Sequence, residues 1–207
     1  MSDSRSLDAL VIRNIADIEA AMKHAQERIG PRIWEVASRV MQAACEARDW
    51  TSVADIKDED VWIADPAWLM PDQRKPKADF FLGLDERTSG DNDGENSWLA
   101  TFVASGPNRA TMAFWLCQRI LGAGAWKKLV KSNDRIVAEL RGLGFSVDDD
   151  DDRRLYLPVV LDREQLARAF ETDDFDAVME PVGTAVGNAL AAADVLERLR
   201  GLARAAA

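Results

Sequence analysis

The chain has 207 residues, a formal net charge of −10 and a pI near 4.7, with 47% apolar and 30% charged residues. That length suits one well-filled core, and the apolar-to-charged balance is that of a globular protein, which excludes the fibrous and disordered classes. No apolar run approaches the roughly 20 residues of a membrane-spanning helix, and residues 1–6 lack the apolar core of a signal peptide. The excess of carboxylates disfavours nucleic acid, whose phosphates need clustered Lys and Arg. The expectation is a cytoplasmic protein without a membrane segment, and any charged partner of it should be basic.

Over residues 7–29 the apolar positions Leu7, Leu10, Val11, Ile15, Ile18, Met22, Ala25 and Ile29 recur at spacings of three and four, the period of an amphipathic helix. Gly30 and Pro31 interrupt it. Ile33, Val36, Ala37, Val40, Met41, Ala44 and Cys45 then continue a helical pattern that Pro31 can start. Residues 1–49 are therefore predicted to be a helical pair, folded either as a hairpin or as one long kinked helix.

After Trp50 the pattern shortens to β-like runs at 61–64, 79–86, 97–105 and 110–118, separated by Pro, Gly, Asn and Asp. Asp93-Gly94 and Gly106-Pro107-Asn108 have the chemistry of chain reversals, so these runs predict an antiparallel meander. Residues 111–117 are apolar on both faces, Met112, Phe114 and Leu116 against Ala113, Trp115 and Cys117, which marks a central strand that needs cover twice. A helix is expected over 123–143, then strands at 145–147 and 155–160 joined by a solvated tip of aspartates at 148–152.

Asp162 reads as an N-cap for a helix over 163–170. Beyond Thr172 the series Phe175, Met179, Val182, Val186, Ala189, Leu190, Ala193 and Leu196 predicts a packing helix, with Pro181 near its start, that could also pair with its twin in a homodimer. The reading is an α+β fold in one domain, residues 1–207: a helical part at 1–49, a meander sheet of about four to six strands with one inserted helix at 60–161, and C-terminal helices at 162–207.

No complete catalytic constellation is present. His24 is the single histidine and has no metal-binding companion in sequence, and Cys45 and Cys117 sit in apolar runs as buried reduced thiols. The loop at 91–96 is rich in oxygen ligands but fails the register of a calcium loop, with Ser89 and Ala100 where Asp and Glu are needed. Gly122 and Gly124 before Lys127 and Lys128 lack phosphate-loop spacing, so no cofactor is expected.

Seven tryptophans are many for this length, and tryptophan serves both cores and interaction hot spots. The leading expectation is thus a non-enzymatic interaction or regulatory protein that holds a protein partner through an aromatic surface of Trp62, Trp68, Trp98, Phe102 and Trp115. One alternative is a metal-dependent hydrolase or nuclease using Asp79, Asp85 and Glu86. Asp85-Glu86-Arg87 lacks the lysine that PD-(D/E)xK nucleases carry, while Asp55-Ile56-Lys57 has that spacing in a polar stretch. A second alternative is a small-molecule sensor with a pocket lined by Trp98, Phe102 and Trp115.

Overall fold

A computed structural model describes residues 2–55, 60–71, 77–87, 98–105, 110–148 and 153–207. Its sheet is antiparallel throughout, with strand order β1-β2-β3-β4-β6-β5: β1 Thr51–Asp55, β2 Asp60–Ala64, β3 Phe80–Arg87, β4 Thr111–Gln118, β5 Ser146–Val147 and β6 Leu155–Val159. The predicted α+β meander is present. Strand β3 pairs with β4 over its whole length, from Phe80 opposite Gln118 to Arg87 opposite Thr111.

Strand alternation sends Val61, Ile63, Phe80, Leu82, Leu84, Met112, Phe114, Leu116, Leu155, Leu157 and Val159 to one face. There they join buried positions of α3 (Gly30–Glu46), α5 (Ala123–Ser132), α6 (Asp134–Gly142), α7 (Arg163–Thr172), α8 (Glu180–Ala191) and α9 (Ala193–Ala205) in a single apolar cluster. Val182, Ala185, Val186, Ala189, Leu196, Leu199 and Ala203 are all buried in this cluster. The C-terminal stripe that suggests a dimer seam is therefore filled by the protein's own core.

The run at 97–105 is not a strand, because Trp98–Phe102 forms a short helix, α4. Alternation of Trp98, Ala100 and Phe102 is indistinguishable over so few residues from a helical i, i+4 pair. Tertiary packing decides: Phe102 sits edge-on to Trp34 of α3 at 5.4 Å, and its carbonyl accepts from the Leu161 amide at 2.8 Å. The expected reversals at Asp93-Gly94 and Gly106-Pro107-Asn108, the oxygen-rich loop at 91–96, Lys57 and the aspartates at 149–152 lie outside the described residues.

The helix expected over 123–143 breaks at Asn133, whose Nδ2 donates to the Leu129 carbonyl at 2.8 Å. A short polar side chain here competes with the helix for its own backbone. Asp162 caps α7 as predicted, accepting from the Gln165 amide at 2.8 Å.

Residues 2–46 follow one helical course through α1 (Ser2–Arg13), α2 (Ile15–His24), a π-helical turn Ala25–Ile29 and α3, without reversing at Gly30-Pro31. Proline has no amide hydrogen and its ring clashes with the carbonyl four residues back, which would kink a regular helix. The π turn absorbs the defect: the Gly30 amide reaches the Ala25 carbonyl, five residues back, and the helix continues with Pro31 in the first turn of α3.

Candidate functional site

The six tryptophans whose side chains are described are all buried and make no exposed surface. Trp68, at the end of a 3₁₀ turn Pro66–Trp68 capped by Asp65, is 1% exposed and donates its Nε1 to Glu197 at 2.6 Å. Trp62 and Phe102 are buried as well, and the Trp98 side chain lies outside the described residues. Trp62 and Trp115 share the second sheet face on either side of Gly83, in register with it, whereas Trp68 and Phe102 belong to the main core.

That second face receives its cover from cations. The guanidinium groups of Arg154, Arg87 and Arg119 lie 4.1, 4.9 and 5.0 Å from the ring centroids of Trp115, Tyr156 and Phe81. Each presents a positive plane to the negative face of an aromatic ring. Trp115 is 3% exposed, stacks at a tilt on Tyr156 and donates to the Glu86 carbonyl at 3.3 Å. The Cys117 thiol lies in the same layer, where burial pushes its pKa up and Arg154 only partly offsets it; burial pushes Cys45 up to about 11. Both cysteines are free and neutral at physiological pH.

Asp79, just before β3, and Asp85 and Glu86 within it diverge. Asp79 is held by Arg200, through Nε at 2.9 Å and Nη2 at 3.2 Å, and by Arg204 at 2.7 Å. Burial opposes its ionisation, but the two arginines outweigh burial and keep the carboxyl below its ordinary range. Asp85 is exposed and accepts from the Glu86 amide, and Glu86, next in the strand and so on the opposite face, accepts from Thr101. Among the described residues no group of three acidic, histidine or cysteine side chains is placed to hold a metal. Asp85→Asn is expected to change stability by no more than about 0.5 kcal/mol, and Mg²⁺ is expected to leave the melting temperature of wild type and variant alike, as differential scanning fluorimetry would read.

Five of the nine large apolar side chains exposed among the described residues, Leu7, Leu10, Ile12, Ile15 and Met22, lie on the opening helices. Leu7, Leu10, Ile15 and Met22 are 59%, 57%, 44% and 57% exposed, and α2 buries no residue. With Val11 and Ile18 they form one stripe, which enters the core at Ile29. Leu7, Ile18 and Ile29 stand eleven residues apart, as do Val11 and Met22. An eleven-residue repeat averages 3.67 residues per turn, close to a straight helix, so the stripe does not drift around the axis.

Where this helix meets the body, the π turn adjoins a cleft of about 420 Å³ lined by His24, Glu27, Arg28, Arg32 and Glu35 of the helical course and by Phe170, Asp173 and Phe175. His24, the single histidine, is exposed and lines this cleft. Its neighbours in the cleft come from residues near 170, too distant in sequence for any local pattern to reveal. Among the described residues no helix is long and apolar enough to cross a membrane. No protein-family model, no curated protein and no solved structure matches this chain.

Proposed function

We propose that the protein is a non-enzymatic interaction or regulatory protein that works as a homodimer, joined through the apolar stripe of α1 and α2. The observation that carries this reading is the exposure of that stripe. A helix with no tertiary packing is marginal in water, and aliphatic side chains left half exposed along one face gain most from a second helix.

A second copy suits the stripe better than an acidic or basic surface would. It brings an identical row of the same length and pitch, so each buried contact is matched from both sides. Covering the exposed remainder of six large apolar side chains on each of two helices is worth roughly 10 kcal/mol gross. Association costs about 4–15 kcal/mol. The net is at most about 6 kcal/mol, a weak dimer in the tens of micromolar, whereas a partner without an apolar row would recover only about half of the gross gain. The diverging carboxylates speak for an interaction role over a hydrolase, and the buried tryptophans move the docking surface from aromatic to aliphatic residues.

Sedimentation equilibrium of the full chain from about 10 μM to about 1 mM tests this. At the upper end wild type should sediment as a dimer, and Ile18→Asp with Met22→Asp as a monomer whose unfolding midpoint matches that of wild type diluted to monomer, since neither side chain is in the core. A wild-type monomer, or a dimer that survives both substitutions, would overturn the proposal.

A further inference from the structure

The cleft beside the π turn has the composition of a ligand site and is independent of the dimer reading. We propose that it binds a planar aromatic carboxylate. Arg32 lines it with the guanidinium 5.2 Å from the Phe175 centroid and pairs with Glu35 and Asp173, which line the cleft as well, each at 3.0 Å. Those two acids are thereby neutralised, Glu35 also meets Arg39 at 3.4 Å, and Glu27 faces Lys23 at 3.9 Å. Arg28 and His24, on the wall of the cleft, have no acidic partner among the described residues.

The opposite wall is aromatic. Phe170 is 37% exposed and meets Phe175 edge-on at 5.1 Å. A guanidinium without an acidic partner offers a carboxylate two parallel hydrogen bonds, and a partly exposed phenyl ring lining the same cleft offers a ring an apolar shelf. Inorganic phosphate would use only the first feature and a neutral arene only the second. The volume matches a one- or two-ring acid. The local backbone agrees, because a π turn re-aims the side chains of one helical turn and such turns recur at functional sites. A bound acid would touch α2 through His24, the π turn through Arg28 and the end of α7 through Phe170, and so would tie the opening helix to the body.

Saturation-transfer NMR and calorimetry with 1-naphthoate, 1-naphthalenemethanol and inorganic phosphate test the proposal. Naphthoate should bind in the sub-millimolar range and at least tenfold more tightly than the alcohol or phosphate. Arg28→Ala should weaken naphthoate at least tenfold and leave the alcohol unchanged, while Phe170→Ala should weaken both. Both residues are exposed, so unchanged unfolding midpoints will show that the variants are folded. No detectable naphthoate binding, equal binding of acid and alcohol, or indifference to Arg28→Ala would overturn it.

Discussion

Trp68→Ala should destabilise the fold by about 3–5 kcal/mol, a large part of the 5–15 kcal/mol that holds an ordinary domain together. The indole is 1% exposed and stands edge-on between Trp50 at 5.2 Å and Phe80 at 5.3 Å, and Phe80 in turn meets Trp126 at 6.1 Å. Its removal leaves a cavity in a chain of aromatic contacts linking the segment before β1, β3 and α5. Trp68→Phe keeps a ring in place and loses the Nε1 hydrogen bond to Glu197, an exposed carboxylate that water can satisfy, so its cost should be nearer 1 kcal/mol. Urea denaturation followed by circular dichroism will measure both. A Trp68→Ala protein as stable as wild type would show that the residue serves binding and not the core.

Asp79→Ala should cost about 3 kcal/mol at neutral pH, because it strands the guanidinium of Arg200, which is 4% exposed. Glu197 and the Ala67 carbonyl remain as partners for Arg200, which keeps the loss at the low end for a broken buried pair. The pH dependence follows from the depressed folded pKa of Asp79. Its stabilisation is complete above the unfolded carboxyl value of about 3.9 and is lost as pH falls through the lower folded value. The gap between wild type and variant should be full at pH 6 and should narrow below about pH 4. Urea midpoints across that range will report it, and a constant gap would mean that Asp79 acts through packing rather than charge.

The same network explains why a carboxylate on an apolar strand resembles a catalytic group in sequence. Its two counterions come from α9, more than a hundred residues away, and long-range ion pairs leave no local signature. Asp85 and Glu86 are different: period-2 alternation already places adjacent strand residues on opposite faces, so their divergence is legible once β3 is accepted as a strand.

Local physics is sufficient where a short-range rule has one solution. The double-faced apolar pattern of β4, the Asp162 cap and the α+β class follow from periodicity and capping, which need only neighbours in the chain. The sequence by itself also determined the amphipathic opening helix, with its apolar row at helical spacing. Only the tertiary structure decided which apolar rows are satisfied. The C-terminal row of α8 and α9 is consumed by the protein's own core, the described tryptophans pack inward or lie under arginines, and the row of α1 and α2 is left outside. A hydrophobic pattern states that a face must be buried to gain free energy, but burial is supplied by whatever arrives from elsewhere in the chain, and that supply runs out at the opening helix.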